Sequence, residues 1–204
     1  GIVGLNPIVE KGKTRLYISG KNTNKLEIIN NKGIIVKSLG FEVGKASAFK
    51  IPLIIDLDYR PYNWESDEKK SEVYKKIMNE MDIIIGNDLE FNIADNSKDG
   101  LKLAQNLIEK KPYIIIYKMG EKGSKVFTKK GEQDFGIFNV QAIKPTGAGD
   151  AFNGGFVSSL YQGFSLEDSV KRASANAAIV VTRVGCSSAM PNSEELNQFI
   201  KDKE

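Results

Sequence analysis

The sequence predicts an α/β fold in which a mainly parallel sheet is flanked by helices. Three short apolar runs lie between residues 51 and 117, and polar residues follow each of them. Because each run is apolar at successive positions, it predicts a strand that is buried on both faces, as in a sheet covered by helices. Helical patterns separate the runs, and this alternation favours parallel strands joined by right-handed crossovers.

The individual elements follow from the spacing of the apolar residues. Strands are expected at residues 51–55, 82–86 and 113–117. Apolar residues recur at helical spacing in residues 68–81 and again in residues 101–108, so each segment predicts an amphipathic helix with one buried face. In the first of these helices the predicted buried face consists of Val73, Ile77, Met78 and Met81.

The region after residue 117 predicts a hairpin and three more helices. Gly123 and Gly131 bound two short strands around Val126 and Phe138, which we expect to form a hairpin at the sheet edge. One helix should follow the glycine-rich residues 146–150. The last two helices should begin where a polar residue precedes an acidic one by three positions, a capping pattern seen in Ser165 with Asp168 and Asn192 with Glu195.

The first fifty residues do not share this alternation. Residues 16–19 and 34–36 are candidate strands, and the polar segment between them has no helical period. We therefore expect two parts, an incomplete N-terminal region at residues 1–50 and an α/β part at residues 51–204.

Composition excludes several classes of function. The formal charge of +3 is spread along the chain, which gives no basis for nucleic acid or an anionic membrane as a partner. Cys186 is the only cysteine, as is common in a reducing cytosol, and no apolar stretch or leader pattern indicates a membrane span or secretion. We therefore expect a soluble, cytoplasmic protein. The absence of histidine excludes Ser/His/Asp and Cys/His nucleophiles.

The sharpest motif is the glycine turn at residues 146–150, Thr-Gly-Ala-Gly-Asp, which precedes a helix rich in small and apolar residues. Gly147 and Gly149 let the backbone turn so that successive N–H groups point the same way, and the helix N-terminus adds partial positive charge. Together these features predict an anion site. Asp150 would lie in the first helical turn, where a carboxylate is also a favourable capping charge.

A cluster of polar residues follows each apolar strand, and a further polar cluster forms the glycine turn. In an open parallel sheet, ligands bind beyond the carboxyl ends of the strands. We therefore expect the clusters to converge on one rim, although each of them alone is typical of a solvated loop. They occupy residues 56–60, 87–90, 118–120 and 147–150.

These residues resemble the ribokinase-like, or pfkB-type, carbohydrate kinases. Residues 146–156, TGAGDAFNGGF, are close to the C-terminal signature of that family, and residues 87–90, NDLE, fit its N-x-x-E motif. The resemblance extends over residues 51–199 and includes the closing stretch AAIVVTR at residues 177–183. It implies the ribokinase-like fold and phosphoryl transfer from Mg-ATP to a sugar hydroxyl.

The resemblance also implies roles for the residues of the glycine turn. Asp150 matches the general base that accepts the proton of the attacking hydroxyl, and a carboxylate is ionised at neutral pH. The N–H groups of Gly147, Ala148 and Gly149 match the donors that stabilise charge on the transferred phosphoryl group.

Other positions match the family's nucleotide and metal contacts. Asn87 and Glu90 resemble the residues that organise Mg²⁺, and these contacts are expected through water because magnesium retains several waters. Lys118 and Gly120 occupy the loop over the nucleotide phosphates, and Ser174 the helix position near adenine.

Two stretches bear on the sugar. Residues 56–64, DLDYRPYNW, and 185–191, GCSSAMP, look most like kinases of 5-dehydro-2-deoxygluconate, and 2-keto-3-deoxygluconate kinases share part of the first stretch. Asp58 and Arg60 are the expected substrate contacts, since a guanidinium can grip a carboxylate with two hydrogen bonds. Related kinases often pair through their lids, so a homodimer is expected.

The sequence departs from the family pattern in two places. Lys144 stands where many members have an aspartate that binds a monovalent cation, so the lysine ammonium is expected to replace that cation. The N-terminal glycine pair and asparagine of the sugar-binding half are not found in residues 1–50. Two alternatives therefore remain open: a kinase of another sugar, and a nucleotide-binding regulatory module without turnover.

Overall fold

The computed structural model divides the chain into two compact units, Gly1–Leu53 and Ile54–Glu204. It describes the backbone of six strands between residues 2 and 40, and then residues 52–59, 64–94, 96 and 99–204. Each unit has its own secondary structure.

The described strands of the first unit pair as antiparallel ribbons. Strand β1 pairs with β4, β2 with β3, and β5 with β6. The predicted strand at 34–36 overlaps β6, whereas the one at 16–19 touches the ends of two different strands. The bounds are β1 Ile2–Val3, β2 Pro7–Glu10, β3 Lys13–Leu16, β4 Ser19–Gly20, β5 Lys25–Ile29 and β6 Ile35–Gly40.

The described strands of the second unit form a five-stranded sheet in the order β11-β10-β9-β8-β7. Strands β7, β8 and β9 are parallel, and β10 and β11 extend the sheet as an antiparallel hairpin. The predicted α/β fold with a mainly parallel sheet is confirmed. The bounds are β7 Ile54–Asp56, β8 Ile83–Asn87, β9 Ile114–Lys118, β10 Ser124–Thr128 and β11 Gly131–Phe135.

The hairpin is present, but its second strand lies earlier than predicted. Thr128 pairs directly with Gly131, so only two residues form the turn and the pairing ends at Phe135. Phe138 lies beyond the strand and packs edge-on against Phe199, with ring centroids 5.4 Å apart. An aromatic residue that packs against the last helix carries no period-two signal, which explains the error.

The helices occur where the sequence predicts them, with one addition. Their bounds are α1 Asp67–Met78, α2 Asp88–Ala94, α3 Gly100–Ile108, α4 Ala148–Tyr161, α5 Leu166–Val181 and α6 Ser193–Lys203. Helix α2 was not predicted, because seven residues provide too little period to detect. The Ser165 and Asn192 side chains cap α5 and α6 as predicted.

The predicted buried face of helix α1 is only partly correct: Met78 and Met81 are buried as predicted, but the other buried positions differ. The fully buried positions are Lys70, Ser71, Tyr74 and Met78, whereas Val73 and Ile77 are only partly buried. The helix ends at Met78, and Asn79 at its end donates its side-chain N–H to the Lys75 carbonyl at 2.7 Å. A lysine and a serine within the buried face hide its period from a hydrophobicity pattern.

The core that positions the site lies between the sheet and helices α4 and α5. Isoleucines of β8 and β9 contact Phe152 and Phe156 of α4 and Val170 and Ala173 of α5; these isoleucines are Ile83, Ile85, Ile114 and Ile116. The two helices lie close together because Gly155 has no side chain at their crossing. Within the described residues, no helix is long and apolar enough to cross a membrane.

Candidate active site

The rim of the site is formed by the carboxyl ends of three parallel strands. Asp56 ends β7, Asn87 ends β8 and Lys118 ends β9. Asp56 pairs in register with Ile85, and Asn87 with Lys118, so the three polar side chains leave the sheet at the same edge. The predicted convergence of the strand-end clusters is therefore observed.

The glycine turn joins this rim. Gly147 has a φ of +89°, a left-handed conformation that favours glycine, and α4 begins at the next residue. A Cβ added at Gly149 would lie 3.7 Å from the Lys118 Nζ, so the turn and the end of β9 are neighbours. The Lys118 ammonium also lies 5.9 Å from the ring centroid of Phe152 in α4.

The first turn of α4 contains the backbone N–H groups that the sequence predicts as anion donors, but that of Ala148 already has an acceptor. The Ala148 N–H donates to the Pro145 carbonyl at 3.3 Å, and the Ala151 N–H donates to the Gly147 carbonyl at 2.9 Å. The amides of Gly149 and Asp150 lie between them, where helix geometry provides no intrahelical acceptor. Of the first-turn amides, those of Gly149 and Asp150 are therefore the ones that helix geometry leaves to donate to an anion.

Asp150 is exposed in this first turn. Burial is the main cause of the raised pKa of Asp56, and the charges of Glu90, Asp58 and Asp150 add to the effect of burial. Acidic side chains from β7, α2 and α4 therefore share the rim with Lys118. Asp150 is thus a solvent-accessible carboxylate beside the first-turn amides.

Asn87 and Glu90 bond to each other at the start of α2. The Asn87 N–H donates to Glu90 Oε2 at 2.7 Å, and the Glu90 N–H donates to Asn87 Oδ1 at 2.8 Å. This reciprocal pair is of the capping-box type and fixes both side chains at the rim. It uses one oxygen of each, so the Glu90 carboxylate keeps further acceptor capacity.

Asp56 and Lys118 form an ion pair across the end of β8. Asp56 Oδ1 lies 3.8 Å from Lys118 Nζ, with 32% of the aspartate side chain and 16% of the lysine side chain exposed. Burial, together with the nearby carboxylates, raises the pKa of Asp56 to about 6 against the opposing effect of Lys118. Asp56 Oδ1 is buried and has no hydrogen-bond partner among the described residues.

The comparison with known families agrees with this geometry. The sequence profile described as "pfkB family carbohydrate kinase" matches residues 37–193, which is more than three quarters of the chain. The chain belongs to the pfkB carbohydrate kinase family. The glycine turn, α4 and the rim all lie inside the matched region.

Individual relatives of the chain carry the name of one sugar kinase. The chain is 40% identical over 158 residues to a 5-dehydro-2-deoxygluconokinase from Photobacterium profundum, covering 74% of this chain and 48% of the relative. It is 32% identical over 204 residues to the protein of that name from Bacillus subtilis, covering 91% of this chain and 62% of the relative. The chain thus spans about half to three fifths of the curated relatives it matches.

Solved structures agree on the fold. A ribokinase from Thermotoga maritima has a TM-score of 0.64 and 30% identity, covering 78% of this chain and 52% of that one. An Escherichia coli structure, a putative ribokinase II in complex with ATP and Mg²⁺, has a TM-score of 0.71 at 21% identity with the same two coverages. The second unit of this pfkB family member therefore has the ribokinase-like fold.

Lys144 links two loops beside the glycine turn. Its Nζ donates to the Thr146 carbonyl at 2.6 Å and lies 3.9 Å from Cys186 Sγ. A Cβ added at Gly147 would lie 3.3 Å from the same sulfur, so Cys186 packs directly under the turn. Cys186 was not among the predicted site residues, and a contact between positions 42 apart leaves no local sequence signal.

The other predicted site residues are Gly120, Asp58, Arg60 and Ser174. Gly120 has a φ of +58° and begins a short turn after β9. Asp58 has a φ of +33° and follows β7, whereas Arg60 lies outside the described residues. Ser174 belongs to α5, where its hydroxyl donates to the Gly136 carbonyl at 3.4 Å.

Ser174 lines a cavity of about 280 Å³ between α5 and the segment after β11. Its walls combine apolar and charged side chains, among them Phe135, Ile137, Val170 and Lys171. The cavity volume is just below the usual range for small-molecule sites. Ser174 is therefore a partly buried residue at the wall of this cavity.

Proposed function

We propose that the intact protein is an ATP-dependent sugar kinase that transfers the γ-phosphoryl group of Mg-ATP to a hydroxyl of a ketodeoxy sugar acid. The observation that carries the proposal is the glycine turn, which places Asp150 and first-turn amides beside Lys118 at the sheet rim. The names of the relatives support 5-dehydro-2-deoxygluconate as the sugar.

Asp150 is proposed as the general base. Its carboxylate accepts the proton of the attacking hydroxyl while the oxygen approaches the γ-phosphorus in line with the departing ADP oxygen. Of the amides predicted to stabilise charge on the transferred group, those of Gly147 and Gly149 are joined by that of Asp150, whereas the Ala148 N–H donates to the Pro145 carbonyl. Little covalent chemistry is required of the protein, so positioning and electrostatics provide most of the rate.

Lys118, Gly120 and Ser174 are proposed as nucleotide contacts. Lys118 is a partly buried cation next to the glycine turn, which suits it to a phosphate oxygen. The positive φ of Gly120 turns the backbone after β9 toward the same edge. The cavity beside Ser174 is large enough to take part of a nucleoside.

Asn87 and Glu90 are proposed to hold the waters of Mg²⁺. Their oxygen atoms are the type of ligand that magnesium prefers, and Glu90 keeps acceptor capacity outside the reciprocal bonds. Within the described residues no group of three or more acidic side chains could enclose a metal ion. Because magnesium retains several of its waters, these contacts are expected to be indirect, and bound Mg²⁺ would neutralise phosphate charge.

The sugar acid is proposed to contact Asp58 and Arg60. Asp58 lies two residues beyond the end of β7, next to Tyr59, whose ring lies 5.5 Å from the buried Lys70 ammonium. A carboxylate can accept hydrogen bonds from sugar hydroxyls, and the Arg60 guanidinium would bind the acid group with two hydrogen bonds.

Lys144 is proposed to replace a monovalent cation. Its ammonium bonds to the Thr146 carbonyl and approaches the loop that contains Cys186, so it supplies positive charge beside the glycine turn. We expect turnover by the wild-type protein to be independent of potassium, whereas Lys144→Ala should lower turnover about tenfold and make it respond to potassium. Steady-state rates in sodium and potassium buffers measure this, with exposed Lys130→Ala in the hairpin turn as the control. Potassium-stimulated wild-type activity that Lys144→Ala leaves unchanged would contradict the proposal.

The substrate is tested with a panel of acceptors. ADP release from Mg-ATP by the intact gene product is measured with 5-dehydro-2-deoxygluconate, 2-keto-3-deoxygluconate, ribose and fructose. The proposal predicts the highest kcat/KM with the first acid. Preference for another sugar would keep the kinase chemistry and replace the substrate, and nucleotide binding without sugar-dependent ADP release would favour a regulatory module.

Assembly and location belong to the same proposal. A homodimer is expected from the resemblance, and light scattering on the intact protein tests it. Dependence on ATP supports a cytoplasmic location, in agreement with the single cysteine of the chain.

A further inference from the structure

The Lys118 ammonium lies close to two parts of the rim, the Asp56 carboxylate and the glycine turn. On one side lies the Asp56 carboxylate, 3.8 Å away, and on the other lies the glycine turn, where a Cβ at Gly149 would be 3.7 Å away. Within the described part of the chain, this lysine therefore connects the acidic end of β7 with the proposed phosphate position.

The contact with Asp56 directs Lys118 without using its donors. At 3.8 Å the two charged atoms attract each other but are farther apart than hydrogen-bonded atoms, which lie within about 3.2 Å. Asp56 Oδ1 is buried and has no hydrogen-bond partner within the described residues. An ammonium has three donors, so Lys118 keeps N–H groups for an incoming phosphate oxygen.

The strand register shows how far the Lys118 side chain reaches to meet Asp56. Asp56 is level with Ile85 in the sheet, and Lys118 is level with Asn87, so the ion pair reaches over the end of β8. A lysine side chain has a flexible four-carbon stem that samples many rotamers unless a neighbour restrains it. The ring centroid of Phe152 lies 5.9 Å from the Lys118 ammonium.

We propose that Asp56 is a positioning residue that holds the Lys118 ammonium toward the glycine turn, where it meets the transferred phosphoryl group. The inference rests on the proposed phosphoryl transfer. A second feature agrees with it: the pKa of Asp56 is raised because its carboxylate is buried among other carboxylates, so a purely structural position would favour a neutral residue.

The test is a double-mutant cycle on the intact protein. Asp56→Asn keeps the shape of the side chain and removes its charge, and Lys118→Ala removes the ammonium. We expect Asp56→Asn to lower kcat between about tenfold and a hundredfold, as for other misplaced reacting groups, with a KM for ATP within about threefold of wild type. In the Lys118→Ala background the same change should alter kcat less than about twofold.

Two readouts separate positioning from a structural role. Thermal unfolding should show Asp56→Asn at least as stable as wild type, because the substitution removes a buried charge. Glu132→Gln, which removes a carboxylate 3.0 Å from Lys125 on the hairpin, is the matched control and should leave kcat unchanged. Equal effects of Asp56→Asn in both backgrounds, or loss of rate with parallel loss of stability, would overturn the inference.

Crystal structures of nucleotide-free wild type and Asp56→Asn give a readout that does not need turnover. The inference predicts that Lys118 Nζ lies near Asp56 in the wild type and leaves the glycine turn in the variant. A Lys118 side chain that keeps its wild-type position in the variant would contradict the inference. If no sugar supports turnover the proposed kinase function fails by itself, and the lysine positions still decide the role of Asp56.

Discussion

At the scale of single residues, the site concentrates charge where burial penalises it. The charges of Glu90, Asp58 and Asp150 act on Asp56, and the Lys118 ammonium lies 3.8 Å from its carboxylate. Its ion pair does not offset the cost of burial, because its pKa rises to about 6 from an ordinary 3.8. Such a group reduces stability when ionised, which is common at sites shaped for function.

This raised pKa predicts a pH-dependent effect of Asp56→Asn. Below pH 4 both the folded and unfolded states hold the proton, and between about 4 and 6 the folded state holds more, so ionisation destabilises the fold as pH rises. Above pH 6 the cost is fully present. We expect Asp56→Asn to match wild-type stability near pH 4 and to exceed it by about 1 kcal/mol at pH 7.5, after screening by solvent.

Urea unfolding of both proteins across this pH range measures the difference. Only the difference between variant and wild type is informative, since other groups titrate in both. A variant that is equally stabilised at pH 4 and pH 7.5, or destabilised at pH 7.5, would contradict the assignment of a raised pKa to Asp56.

At the scale of elements, the packing of α4 on α5 holds the glycine turn against the sheet. The Asn176 side-chain amide of α5 donates to the Ala151 carbonyl of α4 at 2.6 Å and ties the two helices together. A Cβ added at Gly155 would lie 3.1 Å from Ala173 Cα and 3.1 Å from Asn176 Cβ, whereas one at Gly154 meets no described atom within 4 Å.

The neighbouring glycines therefore predict opposite effects of the same substitution. Gly154→Ala should stabilise the protein by about 0.5 to 1 kcal/mol, because alanine loses less backbone entropy in a helix. Gly155→Ala should destabilise it by about 1 to 3 kcal/mol, because the helices must separate and strain the Asn176 bond. Urea unfolding compares the two, and stabilisation by both substitutions would show that the helices are not in close contact at Gly155.

At the scale of the whole molecule, the sequence predicts the layers better than the contacts. Buried strands and capped helices have periodic signals, so β8, β9, α4, α5 and α6 could be located in advance. Short or interrupted elements lack that signal, which explains why α2 was missed and why the second hairpin strand was placed at Phe138.

The candidate site shows the same division. The topology of a parallel sheet determines that Asp56, Asn87 and Lys118 reach one edge, so the sequence was sufficient to bring them together. Which side chains then pair depends on rotamers and on distant segments. The Asp56–Lys118 ion pair and the approach of Lys144 to Cys186 join positions far apart in the chain and could not be predicted.

The central claim is that Asp150 removes a proton from a sugar hydroxyl beside bound Mg-ATP. The most direct measurement is sugar-dependent ADP release by the intact protein and by Asp150→Asn, with the nucleotide affinity of both measured by calorimetry. A general base contributes between about a hundredfold and ten-thousandfold to the rate, so kcat should fall by that factor while the Kd for Mg-ATP changes little. Wild-type turnover that survives in Asp150→Asn within about threefold would contradict the claim.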